Sequence, residues 1–387
     1  MDTTFIEEFF KCASEKPVIE DVSQDGIPNN IIGVMNSLYD NNEDNGFKQE
    51  INEMKYSRTI HLKNKFIDVT FVYLAHQDES LLAMTILHAV NTVLNYYKIT
   101  KKPLTIYAFL TNKKRDTQEL YPETTVGFFD SSYHQNIIHA SAGLTSGGIT
   151  NEEEGYIIVT KKHGIINLVI HELFHYYIPH PSNEAKDRKY LFNNLIIPQY
   201  SRVAFDTPSQ IIYNIEVYAE SNGILYTCAY YAYLQSKNID DMKNKYCKLV
   251  ENEYIYSVYL TTKLLKYLKY DKSTVHNFFY APLENRRKIV MTIYFREYII
   301  LRSIFFGHLM KNIMYDDFNY NIEQLEKTVE HNIDNIDIYN NKNTISFEYM
   351  NNILEIINND PDRHRDTSFH DDPHSQFWEI KQSYNLS

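Results

Sequence analysis

An α+β architecture, a small mixed sheet followed by a mainly helical lobe, is predicted by three features of the 387-residue chain. Short runs rich in β-branched and aromatic residues are confined to the first half. Helical periodicity takes over from about Ile211 and continues almost to the C-terminal tail. A hydrophobic content of 43% is enough to build a sizeable core around both.

Taken in order, Thr3 to Ser14 has helical period, and a polar segment follows it. That segment contains Asp25-Gly26-Ile27-Pro28 and the Asn/Asp-rich run from Asp40 to Asn45. Residues 1–55 are therefore expected to form an accessory layer, with the sheet beginning after them. Thr59 to Leu74, TIHLKNKFIDVTFVYL, reads as one strand or a hairpin turning near Asn64. Asp78 or Ser80 can cap a helix running to about Tyr97. Its stripe of Leu82, Ile86, Ala89, Val90 and Val93 should pack on the sheet. Leu104 to Leu110 is the next strand. The Gly/Ser-rich stretch from Ser141 to Ile149 is expected to be irregular, and Tyr156 to Thr160 to be a further strand.

Gly164 to Ile178 reads as a helix. Beyond it, helices are predicted over 211–234, 240–270, 274–279, 285–314 and 322–330. The chain thus divides into the accessory segment 1–55, a subdomain 56–190 with the sheet, a helical subdomain 191–360, and a polar tail 361–387. The tail carries His364, His370 and His374 and reads as a peripheral terminus rather than a metal site.

Composition excludes several function classes. With 38 basic against 50 acidic residues the net charge is −12, which offers no electrostatic reason to bind nucleic acid or an anionic membrane. A protein or peptide partner is the natural expectation. Cys12, Cys228 and Cys247 form neither a disulfide framework nor a CxxC pair, so any metal must be held by His and carboxylates. The N-terminal MDTTFIEEFFKC lacks the basic start and apolar run of a signal peptide, which predicts an intracellular location or release without a conventional signal. The most apolar stretch, Ile289 to Met310, is interrupted by Arg296, Glu297 and Arg302 and reads as a buried helix, not a membrane span. The abundance of Tyr, with Asn, Ile and Lys, follows from codon usage in an AT-rich genome.

One constellation carries chemistry. In IINLVIHELFHYYI, His171 and His175 lie one helical turn apart, so both imidazoles project from the same face and can clamp a metal. Glu172 follows the first His by about 100° round the helix, within reach of a water at that metal without being a ligand. Ile165, Ile166, Leu168, Val169, Ile170, Leu173 and Phe174 bury the other faces. A catalytic zinc takes three protein ligands and keeps one position open. Ile178 and Pro181 stand where a third-His pattern would need Gly and His, and His180 is one place off that spacing. Glu216, on the next strongly predicted helix, is the better third ligand. Glu220 is one turn further on. One of the two carboxylates can ligate, while the other accepts a hydrogen bond from a ligating imidazole.

These residues, H171-E172-L-F-H175 and then E216-V-Y-A-E220, resemble the gluzincins, and within them the catalytic domain of anthrax lethal factor and its relatives. The resemblance covers roughly residues 160–225. It implies a zincin-like fold, one Zn²⁺ per chain held by His171, His175 and Glu216, Glu172 as general base, and Glu220 as partner of a ligating His. Where that family carries a Tyr that stabilises the transition state, this chain has Ser209. Tyr213 is taken as the oxyanion stabiliser, with Tyr200 and His180 as neighbours able to serve instead. A weaker similarity links SAGLTSGG, YIIVT and VIHELFH to uncharacterised zincin-like proteins of large DNA viruses.

The expected activity is zinc-dependent hydrolysis of peptide bonds by a metal-activated water. An edge strand between Ala142 and Thr160 should hold the extended substrate, with Gly143, Gly147 and Gly148 allowing close backbone approach. The rival readings are a non-enzymatic interaction or structural protein on a zinc-binding scaffold, and a hydrolase of a non-peptide amide or ester. An intact Glu172 argues against the first, because a structural metal site has no use for a base.

Overall fold

The computed structural model describes residues 4–22, 31, 33, 45–66, 68–98, 103–111, 143–146, 155–160, 162, 164–177, 214–267, 302, 303 and 306. Six strands form a single sheet in the order β1-β2-β3-β4-β6-β5. The strands are β1 (Val18–Asp21), β2 (Tyr56–Lys63), β3 (Asp68–Ala75), β4 (Leu104–Phe109), β5 (Gly143–Ser146) and β6 (Gly155–Val159). The described helices are α1 (Thr4–Ser14), α2 (Asn45–Glu53), α3 (Ser80–Tyr97), α4 (Ile165–Tyr177), α5 (Asn214–Gln235) and α6 (Ile239–Tyr267). The protein is a mixed α/β structure whose described residues from 214 onward are helical except for the break at 236–238.

Of the two readings of Thr59 to Leu74, one strand or a hairpin, the second holds: β2 and β3 form an antiparallel hairpin, with Tyr56 opposite Ala75 and Lys63 opposite Asp68. At its turn, Asn64 Oδ1 accepts from Phe66 N at 2.8 Å, an Asx turn that reverses the chain. β3 then crosses through α3 to the parallel strand β4, and β4 pairs in parallel with β6. Neither Asp78 nor Ser80 is the N-cap of α3: that position is held by Glu79 without a side-chain cap bond, while Asp78 Oδ1, one residue earlier, accepts from the backbone N–H of Ser80 at 3.0 Å. The helix ends on Lys98 in a left-handed conformation, φ 53°.

Two expectations are corrected. The sheet does not begin at Thr59: Val18–Asp21 pairs antiparallel with Ile60–Lys63, so the segment set apart as accessory contributes strand β1. The Gly/Ser-rich stretch is not wholly irregular either. Gly143–Ser146 pairs antiparallel with Tyr156–Val159 and forms the edge of the described sheet beside β6. β1 is largely exposed and too short to show alternation, and β5 is a strand because β6 offers a free edge.

The pleat sorts the core onto two faces. Val72, Leu74, Phe109 and Ile158 point to one side, where Ile31, Ile51 and Met54 complete an apolar cluster. The alternate residues Phe71, Tyr73, Leu104, Ile106, Ala108, Ile157 and Val159 are buried on the other. Tyr73 reaches the start of α3 there, its hydroxyl 3.2 Å from Asp78 Oδ1. α1 packs against α3, α5 and α6, and α4 packs against α5, β5 and β6.

A stack of rings ties these helices together. Phe5 and Phe9 of α1 sit with their centroids 5.4 and 5.8 Å from Tyr226 of α5, and Tyr226 lies 5.3 Å from Phe174 of α4. Tyr96 and Tyr97 of α3 close the cluster. His88 adds a polar clasp. Its Nε2–H donates to Ala13 O at 2.9 Å, and its Nδ1 lies 2.9 Å from the Tyr230 hydroxyl, whose single proton serves either that nitrogen or Thr85 O at 3.1 Å. No helix among the described residues is long and apolar enough to cross a membrane.

Candidate metal centre

α4 is apolar over most of its circumference, with Ile165, Ile166, Val169, Ile170, Leu173 and Phe174 all buried. Buried β-branched and aromatic residues on every side leave little freedom for the helix to rotate, so the direction of its polar side chains is set by packing. His171 and His175 project together. Their rings meet at a centroid distance of 4.8 Å and an interplanar angle of 63°, and the two Nε2 atoms are 3.0 Å apart. Glu172, between them in sequence, is 5% exposed.

The neighbouring helix defines the tautomer of one imidazole. Glu220 of α5 places Oε2 3.1 Å from His171 Nδ1. A carboxylate is an acceptor, so Nδ1 carries the proton and the lone pair of His171 lies on Nε2, toward His175. Glu220's other oxygen, Oε1, accepts from Arg302 Nη1. The three side chains are buried together, with relative exposures of 13% for His171, 11% for Glu220 and 3% for Arg302. A buried pair of this kind is sensitive to one-sided change, since removing one partner costs about 3–5 kcal/mol.

α4 and α5 approach closely because α5 carries Gly223 against the His171 backbone. A Cβ built on Gly223 would lie 3.1 Å from His171 Cβ, 3.2 Å from its Cα and 3.3 Å from its N. One turn later Thr227 Oγ1 lies 2.6 Å from Gly223 O and 3.3 Å from Asn167 Oδ1 on α4, so its single proton serves one acceptor at a time.

This arrangement fits a metal with imidazole-type ligands. Two nitrogens about 3.3 Å apart subtend a tetrahedral angle at Zn–N bonds of about 2.0–2.1 Å. The observed 3.0 Å is within a small ring movement of that separation. Among the described residues there is no group of three or more His, Cys, Asp or Glu placed to hold a metal together. Glu216 belongs to α5, but its side chain lies outside the described residues, as do Tyr213, Tyr200, His180 and Ser209 entirely. The structure therefore brings together His171, His175 and Glu220 of the predicted set. The histidines of the tail, and the predicted helices 274–279 and 322–330, also lie outside the described residues.

Arg302 is the member of this cluster that sequence reasoning did not assign. It was visible only as a charge interrupting an apolar helical stretch, and a cation in such a stretch needs a buried anion. Gly223 was likewise not singled out, although a glycine inside a strongly helical segment is a signal that commonly marks close packing.

No family model matches the chain, and no solved structure matches it. The chain is similar to an uncharacterised protein of Acanthamoeba polyphaga mimivirus, with 23% identity over 268 residues. The match covers 67% of this chain and 63% of the viral protein, so it spans less than two thirds of that relative's length.

Proposed function

We propose that this protein is a zinc-dependent endopeptidase of zincin-like architecture, with His171, His175 and Glu216 as metal ligands and Glu172 as general base. The observation that carries the reading is the convergence of the two imidazole Nε2 atoms at 3.0 Å, with the His171 proton drawn to the opposite nitrogen by Glu220. In the metal-free chain His171 Nε2 accepts from His175 Nε2–H across this distance, and a bound metal would take the place of that proton between the two nitrogens.

Zinc, when bound, supplies the Lewis acidity that activates water and polarises the scissile carbonyl. The chain supplies the rest. Glu172, buried between the two imidazoles in sequence, takes a proton from the water and returns it to the leaving amine. Glu220 holds His171 in the tautomer that presents Nε2. Tyr213 is the proposed donor to the oxyanion. The edge strand β5, antiparallel to β6 and packed beside α4, supports the placing of an extended peptide by strand addition next to the imidazoles. The similarity to a mimivirus protein fits a viral source, with action in an infected cell or a virion.

The test is metal content of the purified chain and of His175→Ala, followed by digestion of a peptide library with and without chelator. One zinc per chain, lost in His175→Ala, with chelator-sensitive cleavage supports the proposal. Zinc without cleavage moves the reading to a non-enzymatic zinc scaffold. Absence of zinc removes the proposal.

A further inference from the structure

We infer that Arg302 is a positioning residue for the metal centre, acting through Glu220 on His171. The inference rests on the zinc reading above and extends it to a residue outside the motifs that define it.

The argument begins with the burial of the guanidinium. Arg302 is 3% exposed, yet among the described residues its Nε and Nη2 have no hydrogen-bond partner, and Nη1 alone is engaged, with Glu220 Oε1. A buried arginine that served to stabilise the fold would be expected to satisfy its fork of five donors. Here the one interaction made is the one that reaches the candidate centre. Unsatisfied buried donors of this kind call for a functional explanation.

Geometry then gives the direction of the effect. The two oxygens of Glu220 face opposite ways along this chain of contacts: Oε1 faces Arg302, and Oε2 faces His171 Nδ1 at 3.1 Å. Anchoring one oxygen fixes the rotation of the carboxylate, and that rotation decides whether the other oxygen meets Nδ1–H. The imidazole is in turn fixed about its Cβ–Cγ bond, and Nε2 is held 3.0 Å from its counterpart on His175. Without Arg302 the carboxylate loses the contact that anchors Oε1, and the His171 lone pair is less firmly aimed. Hydrogen-bond partners of ligating histidines set metal affinity by about 10–100-fold. Arg302 stands one contact further out, so the low end of that range is expected.

The experiment measures Zn²⁺ affinity of the full-length chain by competition with a chromophoric chelator, in wild type, Arg302→Met, Arg302→Lys, Glu220→Ala and the Arg302→Met/Glu220→Ala pair. Visible spectra of the Co²⁺-substituted proteins are recorded alongside. Arg302→Met is expected to weaken binding about 10-fold and to shift the Co²⁺ bands, with Arg302→Lys in between because a point charge replaces the fork. In the Glu220→Ala background the Arg302 substitution is expected to change neither quantity, because the relay is already cut. If Arg302→Met fails to fold, Arg302→Lys carries the same comparison. Unchanged affinity and spectrum in the Arg302 variants, or an equal loss with and without Glu220, overturns the inference while leaving the zinc reading standing. A wild-type chain that binds no zinc overturns both.

Discussion

Gly223→Ala is the substitution whose outcome follows most directly from the geometry. Inside a helix, replacing Gly by Ala normally stabilises by about 0.5–1 kcal/mol through backbone entropy. At position 223 the added methyl group would meet His171 Cβ, Cα and N at 3.1, 3.2 and 3.3 Å. Two of those atoms are main chain, so no rotamer change relieves the contact. Reaching a carbon–carbon separation of about 3.5 Å requires α5 to withdraw from α4 by about 0.4 Å. Overpacking of this sort costs about 1–3 kcal/mol, which exceeds the propensity gain and leaves a net loss of about 1 kcal/mol. The withdrawal also lengthens the path from Glu220 to His171, since both sit within a turn of the contact. The assay is urea denaturation of the metal-free protein, together with zinc competition. A lower unfolding midpoint with unchanged slope, and weaker zinc binding, are expected. A variant at least as stable as wild type, with the same zinc affinity, would refute the claim that the helix spacing is set by this glycine.

Four further outcomes can be checked. Glu172→Gln should retain one zinc per chain and lose hydrolysis, and residual turnover at the wild-type rate would exclude Glu172 as the base. Glu216→Ala should weaken zinc binding by several orders of magnitude, whereas wild-type affinity would place the third ligand elsewhere. Phe9→Ala should destabilise by about 3–5 kcal/mol in thermal or urea unfolding, because Phe9 is fully buried against Tyr96 and Tyr226. For His88, burial holds the imidazole pKa below its ordinary value. The unfolded chain therefore binds the proton first, and stability is lost as pH falls through about 6.5 toward the depressed folded pKa. In His88→Gln that component of the acid loss should be absent, and an identical pH dependence in the two proteins would show that His88 does not contribute.

Local signals carried much of this structure. The polar run Asp78 to Ser80 marked the start of α3 to within a residue or two, the β-branched run around Asn64 marked one strand or a hairpin, and the period of IINLVIHELFHYY marked α4. Each of these elements follows from residues adjacent in the chain. The elements that were not legible owe their existence to partners distant in the chain. Val18–Asp21 is an exposed four-residue run that becomes a strand only because β2 offers an edge, and Gly143–Ser146 does so only beside β6. The same division holds at the site. His171 and His175 are one turn apart on a single helix, so their convergence could be read directly. The contact of Arg302 with Glu220 joins segments that no periodicity relates, and only the folded chain brings them together.

The position of Arg302 also has a consequence for biosynthesis. A chain emerging from the ribosome folds from its N-terminus, and the stretch with both imidazoles is made well before α5 and long before Arg302. On the emerging chain His171 lacks first Glu220 and then the guanidinium that turns Glu220 toward it. Thus the cluster of His171, Glu220 and Arg302 reaches its finished geometry only once the segment carrying Arg302 has been made.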